Sequence, residues 1–147
     1  MSKMFILSKK INHGFTLVET LVAVSIATMV LVAIIAVFVT TIDISRRINY
    51  EYTAMNIAKS RIERARNVME TSGFDSLPDL AETDSIVDSG GSSDQDGDFK
   101  RTTTVATTYN GDARLTQVTA TVIYKYRDEW KNNAVTTLTT VFANIIE

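Results

Sequence analysis

The chain has 147 residues, with 15 Lys and Arg against 17 Asp and Glu, a single His and no Cys, for a formal net charge of −2. That length suits one domain. The missing cysteines exclude disulfides, Cys-based zinc sites and thiol chemistry, and one histidine, His13, cannot furnish a Ser/His/Asp machinery or a multi-histidine metal site.

Residues 1–14, "MSKMFILSKKINHG", carry Lys3, Lys9 and Lys10 and no acid. Residues 15–42 are apolar apart from Glu19 and a few Ser and Thr, whose hydroxyls can bond back to a helix. As a helix these 28 residues would span about 42 Å at about 1.5 Å per residue, and roughly 20 residues suffice for a bilayer. A cleavable secretory signal is the competing reading, but its apolar region usually runs only about 7–15 residues and ends at a small-x-small site. Glu19 is the oddity. A carboxylate in lipid costs roughly 2.5–3.5 kcal/mol even on insertion scales.

The helical pattern continues past Ile42. Ile48, Tyr52, Met55, Ala58, Ile62, Ala65 and Met69 recur at spacings of three and four, the signature of one apolar face. Arg47, Glu51, Lys59, Arg61, Glu63 and Arg64 fall between them and read as a solvated face. Neither Pro nor Gly interrupts residues 15–72, and Gly73 is the expected stop. The spacing predicts one nearly continuous helix, with a transmembrane segment at 15–42 and an amphipathic continuation at 43–72.

Composition changes at 73–98, which holds the only proline, most of the glycines and a cluster of acids. It reads as an acidic Gly/Ser-rich loop with a short helical turn near Leu77–Leu80. From Phe99 the period becomes two. Residues 99–109 and 113–127 flank Asn110-Gly111, the strongest short-range hairpin signal. Val118, Ala120, Val122, Tyr124 and Tyr126 would share one face, and residues 134–146 supply a third strand. The expected fold class is α+β: a long N-terminal helix packed against a small antiparallel β-meander at 99–147, each covering the apolar face of the other.

The run "GFTLVETLVAVSI", Gly14 to Ile26, resembles the N-terminal signature of type IV pilins and type II secretion pseudopilins. A basic leader ends in Gly, then come Phe, an apolar run and a Glu at the fifth mature position. The resemblance is specific from Lys10 to about Ile42 and diffuse beyond. It implies a leader peptide at 1–14, cleavage by prepilin peptidase between Gly14 and Phe15, and N-methylation of Phe15. It further implies that Glu19 pairs with the charged amino terminus of a neighbouring subunit during filament assembly, since pairing recovers part of the penalty of burying two charges. The implied partners are prepilin peptidase, other pilin or pseudopilin subunits, the inner-membrane platform protein and an assembly ATPase. Lipid would surround residues 15–42 before assembly. The implied location is the bacterial cytoplasmic membrane, single-pass, with the head outside the cytoplasm, and then the pilus or pseudopilus. No cofactor and no catalytic residue are implied.

Major subunits of that family usually carry a proline partway down the apolar helix. Ala36 stands at the matching position, and the only proline is Pro78. "ETLVAVSIA" and "AMNIAKSRIERAR" look more like minor pilins and minor pseudopilins, the low-copy priming or tip subunits. A tether reading competes: a single-pass anchored binding protein whose helix is never cleaved.

Other motifs weigh less. "DQDGD" places Asp94, Asp96 and Asp98 at alternating positions, which suits a hard cation. The EF-hand pattern fails, because Gly97 precedes Asp98 and Val105 stands where the bidentate Glu belongs, so a solvated acidic turn is preferred. Arg46, Arg47, Arg61, Arg64 and Arg66 raise DNA capture. Removing the leader takes away Lys3, Lys9 and Lys10, leaving 12 basic residues against 17 acids, net −5, a poor general nucleic-acid binder. Asp75, Asp79, Glu82 and Asp84 raise a hydrolytic carboxylate pair, and Tyr124, Tyr126 and Trp130 an adhesive patch, for which core or sheet-edge packing is the commoner use.

Overall fold

The computed structural model describes residues 15–132 and 135–144. Helix α1 spans Leu17–Ser72, a 3-10 turn spans Phe74–Leu80, and five strands follow: β1 Glu82–Val87, β2 Phe99–Ala106, β3 Leu115–Tyr126, β4 Glu129–Trp130 and β5 Thr136–Ala143. The chain divides into two compact units, one ending at Ile42 and one beginning at Asp43.

Among the described residues of the first unit, none packs against the helix from outside it. Its polar side chains turn back on the backbone: Ser25 Oγ donates to Leu21 O at 2.8 Å, Thr40 Oγ1 to Ala36 O at 2.9 Å and Thr41 Oγ1 to Val37 O at 2.8 Å. Such bonds hide hydroxyls that would otherwise be unsatisfied in an apolar medium.

In the second unit, residues 43–72 of α1 pack on one face of an antiparallel sheet ordered β1-β2-β3, with β4 and β5 both pairing β3. The helix stops as expected, at Gly73, whose φ of +89° suits glycine and whose N–H still reaches Met69 O at 3.2 Å. Ala54, Ile57, Ala58 and Ala65 are buried against Val87, Phe99, Val118, Ala120, Val122 and Tyr124. Side chains such as Ile57 and Tyr124 contribute on the order of 1.5–3 kcal/mol each by leaving water. Alternate residues of β3 from Thr116 to Tyr124 are buried, the period-two pattern expected of a strand with one face on a helix. The hairpin tip falls at Asn110 and Gly111, with φ of +52° and +81°, and Asp112 N–H bonds Tyr109 O at 3.1 Å.

Three expectations need correction. The buried stripe of α1 follows the expected one through Ala58, Ile62, Ala65 and Met69 but departs from it at Ile48, Tyr52 and Met55. Ile48 is 59% and Tyr52 66% exposed, while Tyr50, Ala54, Ile57, Ala58 and Arg61 face the sheet. Alanines let a strand approach the helix closely, and that proximity outweighs the larger apolar residues one turn aside. The segment 73–98 holds the short helical turn expected near Leu77–Leu80, a 3-10 turn beginning at Phe74, but the rest is not all loop: it contains β1, which pairs β2 from Glu82↔Thr103 to Val87↔Phe99. Four polar residues, Glu82 to Ser85, lead that strand, so its sequence lacks apolar alternation. The sheet accordingly has five strands, with the two-residue β4 closing a tight turn after β3 at Arg127 and Asp128, φ +54° and +62°.

Candidate functional site

At the start of α1, Thr16 and Glu19 bond reciprocally. Glu19 N–H donates to Thr16 Oγ1 at 3.2 Å, Thr16 N–H donates to Glu19 Oε2 at 3.1 Å, and the Thr16 hydroxyl lies 3.3 Å from the same oxygen. This is a capping box, which satisfies two backbone donors that no helical carbonyl can reach. The carboxylate also sits at the positive end of the helix dipole. "TLVE" spells this motif in the sequence, so the signal was readable, although Glu19 draws notice first as a charge in an apolar run. Phe15, just before the box, is 83% exposed. Gly14, the other half of the expected cleavage pair, lies with the rest of the leader and His13 outside the described residues.

Beyond Glu19 the surface is apolar on every side. An 18-residue window has mean hydropathy 2.9 and none of it is buried by this chain. Leu21, Val24, Met29, Val32 and Phe38 all point outward. A helix that is apolar all round belongs in lipid or inside a bundle.

The head holds a buried ionic cluster. Arg61 Nη2 lies 3.2 Å from Glu82 Oε1 and donates to Leu80 O at 2.7 Å, while its Nε donates to Thr103 Oγ1 at 3.1 Å. Arg101 Nη2 donates to Glu82 Oε2 at 3.2 Å, its Nε donates to Oε1, and its Nη1 reaches Gly91 O at 2.9 Å. Thr103 Oγ1 donates to Glu82 Oε1 at 2.8 Å. Burial works to raise the Glu82 carboxyl, but the hydrogen bonds from Arg101 and Thr103 and the Arg61 and Arg101 charges outweigh it and hold Glu82 below its usual range. Burial lowers Arg61, with Glu82 opposing and the Arg101 and Arg64 charges adding; the guanidinium stays charged at neutral pH. Arg61 is therefore not on a solvated face as its sequence neighbours suggest. Glu82, locked between two guanidinium groups, is no general acid or base. The cluster ties α1, the 3-10 turn, β1, β2 and the loop at Gly91 together.

A second polar seam joins α1 to the end of β3. Tyr126 OH donates to Asp43, and Arg127 Nη2 pairs with the same carboxylate. The Tyr126 hydrogen bond holds the Asp43 carboxyl low against the opposing effect of burial, with Arg127 adding. Tyr50 stacks on Tyr124 at 5.5 Å between ring centroids and meets Phe99 and Tyr126 at 5.8 and 6.0 Å. Tyr124 and Tyr126 thus pack inward, and Trp130 takes the Lys100 ammonium over its ring at 4.8 Å.

Asp94 spends Oδ1 on the N–H of Asp96 at 3.1 Å, and its carbonyl accepts from Gly97 at 3.2 Å. Among the described residues no three His, Cys, Asp or Glu side chains converge as metal ligands. Arg47 and Arg66 pair on the surface with Glu51 and Glu63 at 3.1 and 2.7 Å, geometry that adds little stability.

Compared with known proteins, residues 9–40 match the family model of the prokaryotic N-terminal methylation motif. No curated protein matches the chain, and no solved structure does. The motif is the signature of type IV pilin and pseudopilin prepilins, structural rather than enzymatic proteins, and prepilin peptidase is the enzyme that processes it. With the apolar helix it marks inner-membrane anchoring before assembly with pilin machinery, and the α+β fold is pilin-like.

Proposed function

We propose that this chain is a structural subunit of a type IV pilus-like or type II secretion pseudopilus filament, of the minor, priming or tip class. The methylation motif over residues 9–40, ending in a helix whose apolar surface this chain leaves uncovered, carries the reading. Prepilin peptidase cuts after Gly14 and Phe15 is N-methylated. The basic leader keeps that end cytoplasmic, residues 15–42 anchor the chain in the inner membrane, and the head, residues 43–147, lies on the other side. During assembly the helices of sister subunits replace lipid, drawn in through the platform protein while an ATPase drives the step indirectly.

Glu19 is the registration device. In the lone subunit it bonds Thr16; in the filament it pairs with the ammonium of a neighbour's methylated Phe15. Assignment to the minor class rests on Ala36, since the helix runs unbroken where major subunits usually have proline.

The test is intact mass and N-terminal sequencing of the membrane-extracted protein from its native host. We expect a chain starting at Phe15 and one methyl group heavier than its composition. A chain still starting at Met1 in a host with active prepilin peptidase would instead establish the uncleaved tether. Glu19→Ala should leave cleavage intact and lower recovery in filaments at least about tenfold, about 1.4 kcal/mol of lost pairing; unchanged recovery removes the registration role. A copy number equal to the bulk filament protein removes the minor assignment.

A further inference from the structure

The tip of the β2–β3 hairpin carries chemistry that the sheet does not use. Of the eight asparagines in the chain, only Asn110 precedes a glycine. The carbon of an asparagine amide is an electrophile, and the backbone nitrogen of the next residue can reach it to close an imide ring. Glycine has no Cβ to hinder that approach. Asn110 and Gly111 are both exposed, and a Cβ built on Gly111 would meet nothing within 4 Å. The turn is closed by Asp112 N–H, which donates to Tyr109 O at 3.1 Å, so the Gly111 N–H stands outside that bond.

Other positions with related chemistry are closed off by the fold. Asp96-Gly97 has the same spacing of a side-chain carbonyl and a glycine nitrogen. There the Gly97 N–H donates to Asp94 O at 3.2 Å, and the place a Cβ would take lies 2.2 Å from Val87 O. The nitrogen is held and its surroundings are packed. Asn49, Asn56 and Asn67 lie within α1, where each following N–H bonds the carbonyl four residues back. Their successors, Tyr50, Ile57 and Val68, also carry bulky side chains.

We infer that Asn110 is a self-modifying site, at which the Gly111 nitrogen displaces ammonia and water then leaves aspartate or isoaspartate. In the first step the bond from Gly111 N to Asn110 Cγ forms, the Cγ–Nδ2 bond breaks, and the backbone amide proton leaves with the ammonia. In the second step water adds to one ring carbonyl and the ring C–N bond breaks there. Opening at Cγ gives aspartate; opening at the main-chain carbonyl gives isoaspartate. Water is the only co-reactant. Either product sets a new carboxylate near Asp112, whose oxygens are already taken by Arg114: the backbone N–H at 2.9 Å, Nε at 3.2 Å and Nη2 at 3.0 Å. Isoaspartate also lengthens the main chain inside a two-residue turn, the connection whose geometry matches the twist of the two strands, and loosens the Tyr109–Asp112 closure. Ammonia is lost, so the change is not reversed by the same chemistry. The tip therefore gains a negative charge that records the age of the chain.

The test incubates the full-length chain in detergent micelles, at mildly alkaline pH, in water enriched in heavy oxygen. Peptide maps then follow each asparagine by mass. We expect Asn110 to convert at least about tenfold faster than Asn49, Asn56 or Asn67, a barrier lower by about 1.4 kcal/mol. It should gain a heavy oxygen and yield isoaspartate as well as aspartate. Gly111→Asp keeps a residue type that tolerates φ of +81° but puts a Cβ beside the attacking nitrogen, and should slow conversion of Asn110 at least about tenfold. This readout is a mass and does not depend on how well the variant head folds. Conversion of Asn110 no faster than at the helical asparagines, aspartate without isoaspartate, or an unchanged rate in Gly111→Asp would each overturn the inference.

Discussion

Glu82→Gln should be the most damaging single substitution in the head short of opening a large cavity. The carboxylate is 19% exposed and lies between Arg61 at 8% and Arg101 at 11%. Replacing it with a neutral amide keeps the shape but leaves two guanidinium groups facing each other without a counter-charge. Breaking a buried pair costs about 3–5 kcal/mol. The lower figure applies, because Arg61 retains its bond to Leu80 O and Arg101 its bond to Gly91 O. For a head of this size, about 3 kcal/mol lowers Tm by about 12–24 °C, out of a total stability of about 5–15 kcal/mol. Thermal and urea melts of the full chain in detergent, followed by near-ultraviolet circular dichroism, read this directly. Replacing all three members with apolar residues of similar volume should recover most of the loss, as buried ion clusters are often replaceable as a unit. A loss below about 1 kcal/mol for Glu82→Gln would show that water screens the cluster and that its geometry does not hold the strands to the helix.

The same carboxylate sets an acid limit. Its folded pKa is depressed, so its contribution is fully present above the unfolded value of about 4.3 and fades as pH falls through the folded one; urea melts from pH 6 to pH 2 should show a loss in that window that Glu82→Gln lacks. Gly97→Ala should destabilise the head by about 1–3 kcal/mol, because a Cβ there would stand 2.2 Å from Val87 O, a backbone atom at the end of β1; an unchanged melt would mean the turn moves away freely. Thr16→Val should cost the helix start about 1 kcal/mol and raise amide exchange at residues 17–19 about fivefold, measured in bilayers; unchanged exchange would mean that the capping box does not form in lipid.

Much of this architecture is legible in the sequence, and the failures share a cause. The helix to Ser72, its stop at Gly73 and the hairpin at Asn110-Gly111 follow from local chemistry that tertiary contacts do not override. The stripe enters the head at Tyr50 and Ala54 and not at Ile48 and Tyr52 because Ala54 carries little hydrophobic weight, although its small size, like that of Ala58, is what lets the sheet come close. Arg61 reads as solvent-facing because its counter-charge, Glu82, is 21 positions away on a strand whose opening residues look like a loop. A helix stripe containing one arginine next to two alanines signals a buried ion pair only when the partner is known. The capping box needed no tertiary information, only attention to Thr16 three residues before Glu19.

That box changes how the intramembrane carboxylate is understood under the proposed function. An unpaired charge in lipid costs roughly 2.5–3.5 kcal/mol, while a capping interaction returns only about 1 kcal/mol. The bonds to Thr16 make the waiting subunit tolerable in the bilayer without making it comfortable. Both bonds fall on Oε2, so a cation can approach Oε1 before either is broken. The remaining 1.5–2.5 kcal/mol, again only roughly, is what a neighbour's ammonium can recover, and that ammonium carries its own penalty into the membrane. A pairing worth this much recurs at every subunit, favours one axial register over any other, and remains weak enough singly for the filament to be taken apart. A residue serving only as a helix cap would need no charge, and Gln at position 19 would do as well. Under the proposed function, the partner and not the cap would account for Glu in a segment that otherwise avoids charge from Phe15 to Ile42.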